Sequence, residues 1–256
     1  MERVQGMTDI EIKGLTSDSR RVEQGFLFAA LPGAELDGRA FIPQAIERGA
    51  AAVLAPPGHY RHAEDLPLPL IIDENPRRRF ALMAARFYSG QPSRVAAVTG
   101  TNGKTSVVTF LRQIWTQLGC KAASLGTLGV CSPGGETPAN LTTPDPVDLH
   151  RALHELAAEG VDRLAMEASS HGLSQYRLDG VEVMAAAFTN LTRDHLDYHG
   201  LMNDYFGAKL RLFTDILKDN GTAVINADVP YGDAIVDACR RRGLRVMTYG
   251  EQGQDI

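Results

Sequence analysis

The chain has 256 residues, 44% of them hydrophobic and 22% charged, a globular composition with enough apolar mass for one large domain or two ordinary ones. Its 26 basic and 31 acidic residues leave a net charge of −5, which argues against a broad basic face for nucleic acid. Three cysteines with no CxxC pair exclude a disulfide scaffold and a zinc ribbon and favour a reducing, cytoplasmic setting. With no uncharged apolar run of about 18 residues, membrane insertion is not expected, and Met1–Gly14 is too charged for a signal peptide.

In chain order, Phe26–Leu31 reads as a buried strand stopped by Pro32-Gly33, followed by a helix over Phe41–Gly49 and strands at Ala50–Ala55 and Leu70–Ile72. Asn75-Pro76 pairs an N-cap residue with proline at the first helical position, opening a helix to about Tyr88. Arg77–Arg79 reads as the solvated side of its first turn. Ser89–Ser93 is the expected linker between residues 1–90 and 91–256.

Beyond it, strands at Arg94–Val98, Ala122–Leu125, Arg163–Met166, Val183–Thr189, Thr222–Ile225 and Arg245–Thr248 are expected. They alternate with helices at Lys104–Leu118, Asp148–Glu159, around Asp204–Leu217 and at Gly232–Arg241. This alternation implies an α/β fold with a mostly parallel sheet covered on both faces. Nothing after Arg245–Tyr249 closes the unit, so the second domain is expected to be incomplete.

Strand Val95–Val98 runs into Thr99-Gly100-Thr101-Asn102-Gly103-Lys104-Thr105-Ser106 and then a helix, the arrangement a triphosphate requires. Glycines let the backbone approach phosphates, helix N-terminal N–H groups donate, Lys104 reaches the β- and γ-phosphates, and Thr105 offers a hydroxyl to Mg²⁺. The usual pattern has glycine five positions before Gly103, where Val98 stands. Glu167 follows an apolar strand, the place for a second magnesium anchor. His195 and His199, like His150 and His154, are four apart but lack the glutamate of HExxH. The latter pair reads as exposed helix histidines. Lys209 alone reads as a surface lysine.

Taken together, Thr99–Ser106, Leu141–Asp145, Met166–Leu173, Gln175–Arg177, Thr189–His199 and Tyr205–Phe213 resemble the Mur ligase family. Asp18–Val22, Gly25–Ala29 and Asp37-Gly38 resemble its UDP-binding N-terminal domain, so the likeness runs through the chain. Folylpolyglutamate synthetases share the phosphate loop without that N-terminal domain, and the D-alanyl-D-alanine-adding ligases lack the Glu-x-Ser-Ser-His-Gly run.

The resemblance implies a UDP-binding α/β domain followed by a parallel-sheet ATP-binding domain, with a C-terminal amino-acid-binding domain absent. It implies a monomeric, ATP-dependent ligase of peptidoglycan synthesis. A carboxylate of UDP-MurNAc-L-Ala-D-Glu is phosphorylated by ATP, and meso-diaminopimelate or L-lysine attacks the acyl phosphate. Gly100, Thr101, Asn102, Gly103, Lys104, Thr105, Ser106 and Asn190 would hold ATP. Thr105, Glu167, His195 and a carbamylated Lys209 would hold Mg²⁺, with Lys104, Lys209 and His195 catalytic. Thr142, Thr143, Ser169, Gln175 and Arg177 would grip the sugar peptide, and Ser17 and Ser19 the uridine end. Ala34-Glu35-Leu36 and Leu141 stand where relatives carry polar residues. By itself the chain is expected to show little ligase activity. A nucleotide-switch module, a UDP-sugar-peptide binding unit and the D-alanyl-D-alanine-adding ligase are the alternatives.

Overall fold

The computed structural model describes residues 10–33, 36–58, 66–138, 140–194 and 196–255. The chain forms two compact units, Met1–Ala84 and Ala85–Ile256.

The first unit is a four-stranded parallel sheet in the order β1 (Gly14–Thr16), β2 (Phe26–Ala29), β3 (Ala52–Ala55), β4 (Leu70–Ile72). β3 is buried along its whole length, as its unbroken apolar run requires of a strand covered on both faces. Phe28, Val53, Ile42 and Ala45 form its core, the last two from α1 (Ile42–Glu47). α2 (Pro76–Phe87) begins as expected: Asn75 Oδ1 accepts from the Arg78 N–H at 3.1 Å, and Arg78 and Arg79 are exposed. β1 is too short and too plain in sequence to have been expected; its register with β2, Gly14 opposite Phe26, defines it.

The second unit is an eight-stranded sheet. Its parallel strands are β12 (Arg245–Tyr249), β11 (Leu217–Asn226), β10 (Val183–Phe188), β5 (Arg94–Thr99), β9 (Arg163–Glu167) and β6 (Ala122–Gly126), in that spatial order. Two antiparallel strands that are not among the expected ones, β7 (Gly129–Ser132) and β8 (Gly135–Thr137), extend the β6 edge. α3 (Lys104–Gln117) lies across one face and buries Val108 against Val98 and Ala165. The alternate residues Val95, Ala97, Leu164 and Ala186 face the main core, shared with α4 (Pro146–Ala158), α7 (Met202–Arg211) and α8 (Gly232–Arg241). Two short helices, α5 (Ser170–Ser174) and α6 (Leu196–His199), follow β9 and β10.

Two expectations change. The helix around Asp204–Leu217 ends at Arg211 and continues as one wider π-helical turn, Leu212–Ile216, which sends Leu212, Phe213 and Ile216 all into the core. The histidines of α4 are not both exposed. His150 is 3% exposed, and its Nε2 lies 3.1 Å from the Asp179 carbonyl, because position 150 falls in line with the buried Val147 and Leu153. His154 is exposed, as expected.

Candidate active site

Parallel strands all end on the same side, and the polar residues following β5, β6, β9 and β10 therefore meet in one place. Those at the ends of β5, β6 and β9 line a cleft of about 460 Å³.

The half of the cleft at the β5 loop is built mostly from backbone. After β5 the chain turns through Gly100 at φ +148°, where a Cβ would lie 1.9 Å from Thr189 Oγ1; only glycine fits. Gly103, at φ +88°, then opens α3, whose first residues are Lys104 and Thr105. The missing glycine of the usual pattern has a structural reason: Val98 is a buried residue of β5, paired with Glu167, so the loop's close approach begins at Gly100. Strand β10 delivers Thr189 and Asn190, which clasp the loop. Thr189 Oγ1 donates to the Asn102 carbonyl at 2.7 Å. Asn190 Oδ1 accepts from the Asn102 N–H at 2.9 Å, and its amide donates back to the Asn102 carbonyl at 3.2 Å. Thr101 Oγ1 lies 3.1 Å from the Tyr205 hydroxyl. Ser106 is exposed on α3 and does not line the cleft.

At the floor, Glu167 is 1% exposed. Its Oε1 accepts from Thr105 Oγ1 at 3.0 Å and from the Thr127 N–H at 2.8 Å, and Oε2 accepts from Thr127 Oγ1 at 3.4 Å. A Cβ on Gly126 would sit 2.2 Å from Oε1, so the carboxylate lies directly against that backbone. Lys104 Nζ donates to the carbonyls of Gly100 and Thr101, both at 2.9 Å, and Lys209 Nζ donates to the same Gly100 carbonyl at 2.8 Å. Lys209 is 1% exposed, its ammonium 4.4 Å from the centre of the Tyr205 ring. The sequence alone made it a surface lysine; α7 turns it into the core. Burial, helped by the Lys104 charge, pushes its pKa down to about 7. Burial lowers Lys104 as well, opposed by Glu167 and Asp194.

The opposite half is built from side chains. Thr143 Oγ1 donates to the Glu167 carbonyl at 3.1 Å and accepts from Ser169 N–H at 3.1 Å and Ser169 Oγ at 3.0 Å. Arg177 Nη1 donates to the Thr143 carbonyl at 2.7 Å, and Nε and Nη2 donate to Gln175 Oε1. Thr142 Oγ1 lies 3.0 Å from Thr127 Oγ1. His171 lines the cleft with its ring centre 4.0 Å from that of Tyr198.

Of the expected residues, Thr101 through Thr105, Thr142, Thr143, Glu167, Ser169, Arg177 and Lys209 share this cleft. Gln175 and Asn190 support it from behind. Ser17 and Ser19 belong to the first unit, Ser17 exposed and Ser19 Oγ donating to Gln44 Oε1 at 2.6 Å. His195 lies outside the described residues. Thr127 and Tyr205 were not foreseen as site residues. Thr127 could have been, since it follows a strand by the same rule that singled out Glu167.

Hydroxyl and carboxylate oxygens 3.0 Å apart, Thr105 and Glu167, are the hard donors Mg²⁺ prefers. No cluster of three or more His, Cys, Asp or Glu occurs among the described residues. Among the described residues, no helix is long and apolar enough to cross a membrane.

Comparison with known proteins matches residues 98–256 to the Mur ligase middle domain and residues 11–88 to the Mur ligase family, catalytic domain. A UDP-N-acetylmuramoyl-L-alanyl-D-glutamate–2,6-diaminopimelate ligase of Bradyrhizobium diazoefficiens is 52% identical over 245 residues, covering 95% of this chain and 50% of that protein. The protein of the same name from Zymomonas mobilis is 47% identical over 248 residues, covering 97% and 50%. The chain thus spans about half the length of the curated relatives it matches. A solved structure of a ligase of that name superposes with a TM-score of 0.81 at 33% identity, covering 94% of this chain and 50% of the other. MurF from Acinetobacter baumannii, at 22% identity and TM-score 0.63, covering 97% and 50%, shares the fold.

Proposed function

The chain belongs to the Mur ligase family, and on that premise we propose that it carries the ATP- and acceptor-binding machinery of a cytoplasmic, monomeric ligase joining 2,6-diaminopimelate to UDP-MurNAc-L-Ala-D-Glu. The names of the relatives support this acceptor and this amine. The observation that carries the reading is the convergence of Lys104, Thr105, Glu167 and Lys209 on one phosphate-type loop, beside a separate polar wall for the acceptor.

The triphosphate tail lies along Gly100–Thr105, taking N–H donors from the first turn of α3 and its positive dipole end. Lys104 leaves its loop carbonyls and turns to the β- and γ-phosphates. Arg177, Thr142, Thr143, Ser169 and Gln175 hold the peptide of the acceptor, and Ser17 and Ser19 the uridine end. The acceptor carboxylate attacks the γ-phosphorus; a C–O–P bond forms, the bridging P–O bond breaks and ADP leaves. The amine then attacks the acyl carbon, phosphate departs with the C–O electrons, and the nitrogen gives up a proton to leave the amide.

Both partners in the first step are anionic, so neutralising charge governs the barrier. Magnesium held by Thr105 and Glu167 supplies part of that neutralisation when bound. Lys209 would take part as a carbamate, an anion able to hold a second magnesium, with His195 near it. Carbamylation needs a neutral amine to attack CO₂ and lose a proton, and a pKa of about 7 makes that form abundant near neutrality. The product replaces a cation beside Lys104 with an anion, removing the repulsion that helps to depress Lys209.

Hydroxylamine trapping of acyl phosphate tests the chemistry with this chain, ATP, Mg²⁺ and the UDP-dipeptide. Calorimetry of the UDP-dipeptide and of ADP with Mg²⁺ tests the two halves. Binding of both with a small yield of acyl hydroxamate is the expected result; nucleotide binding alone would make the chain a nucleotide module and overturn the ligase reading.

A further inference from the structure

α5 ends in a Schellman motif. The Arg177 N–H donates to the Gly172 carbonyl at 2.8 Å and the Tyr176 N–H to the Leu173 carbonyl at 3.1 Å. The motif places Tyr176 in the left-handed position, at φ +60°, where glycine is the usual occupant. A tyrosine held there is strained, and such strain persists only where the surroundings over-determine the conformation. Its chain neighbours are Gln175 and Arg177, both expected to grip the acceptor.

One side chain contacts this turn at several points. Arg211, at the end of α7, donates from Nη1 to the Leu173 carbonyl. Its Nη2 donates to both Asp179 oxygens, at 3.2 and 3.0 Å, and its Nε to Asp215 at 2.9 Å. The guanidinium carbon lies 4.0 Å from the centre of the Tyr176 ring. Arg211 and Asp179 are 15% and 6% exposed. One planar fork therefore grips the turn before, at and after the strained residue. Lysine, a point charge, cannot reproduce that combination of stack and fork. Lys209 stands two residues earlier on the same helix, about 200° round its axis, and reaches the Gly100 carbonyl. α7 thus bonds the β5 loop through Lys209 and the turn after α5 through Arg211.

We propose that Arg211 is a positioning residue that holds the strained Gln175–Tyr176–Arg177 turn in its acceptor-gripping shape and fixes that turn to the helix carrying Lys209. The acceptor role of the turn rests on the functional reading above; the clamp itself does not. The test uses the 256-residue chain as wild type, Arg211→Lys, and Arg211→Lys combined with Tyr176→Gly. Arg211→Lys should lower affinity for the UDP-dipeptide by about tenfold, the scale of losing a charged hydrogen bond, and leave affinity for ADP with Mg²⁺ within about twofold. Adding Tyr176→Gly should recover most of the loss, because glycine adopts the left-handed position unaided. A merely structural role would lower both affinities together and show no such rescue; either result overturns the proposal. Amide exchange at Tyr176 and Arg177 is followed in the same ligand-free proteins. It should speed up in Arg211→Lys by about tenfold, with the amides of β5 unchanged. If wild type ignores the UDP-dipeptide, the functional reading falls and exchange alone decides: unchanged rates at 176 and 177 overturn the clamp.

Discussion

The two halves of the cleft are built on opposite plans. The loop half uses backbone: a glycine turn, a helix N-terminus, and carbonyls that hold two lysines. The opposite half uses side chains tied to one another, Thr143 to Ser169, Arg177 to Gln175, beside a turn with a strained tyrosine at its apex. A backbone cradle presents the same N–H and C=O groups whatever its side chains, whereas a wall of side chains can be matched to one ligand and not another. Glu167 is the hinge of the comparison. Its carboxylate bonds Thr105 and Thr127, while its carbonyl accepts from Thr143.

The largest expected effect is on the carboxylate. Glu167→Gln should reduce magnesium-dependent ADP affinity by about a hundredfold, the scale of losing a metal-site partner, and leave UDP-dipeptide affinity within about threefold in calorimetry. Equal losses for both ligands would erase the division into halves. Thr143→Val removes a buried hydroxyl that serves Glu167 and Ser169 together. It should cost about 2 kcal/mol of stability in urea unfolding and weaken UDP-dipeptide binding more than ADP binding.

A smaller effect is read from pH. Lys209 is depressed to about 7 when folded, against an ordinary 10.5. Between those values the unfolded chain binds more protons, so stability rises with pH across that window, and Lys209→Met should flatten the rise in denaturation curves. The smallest is His150, away from the cleft. Burial lowers its pKa, so its contribution is lost as pH falls below about 6.5, and His150→Gln should lessen the stability drop on the acid side.

Much of this was legible in the sequence. Strand-helix alternation set the parallel sheet, and Asn75-Pro76 marked the start of α2. The Gly-Lys-Thr turn and the carboxylate after an apolar strand were visible because phosphate loops and strand tips are local chemistry. The β7–β8 hairpin was hidden because Gly129–Thr137 lacks the apolar alternation of a half-buried strand. His150 was misread because the side of α4 that is buried depends on what packs over it, namely the turn ending at Asp179.

What the chain's own order of residues determined was the kind of site: a phosphate turn, a carboxylate, and a run of polar residues able to hold a peptide. Tertiary structure alone decided which of them meet. Lys209 becomes a depressed, buried amine, Thr127 becomes a partner of Glu167, and Arg211 becomes the support of Tyr176, only when α7 and the strand tips are brought together. The physical reason is that burial and charge proximity are long-range properties of packing, and they set proton affinity and strain at positions where local sequence is silent.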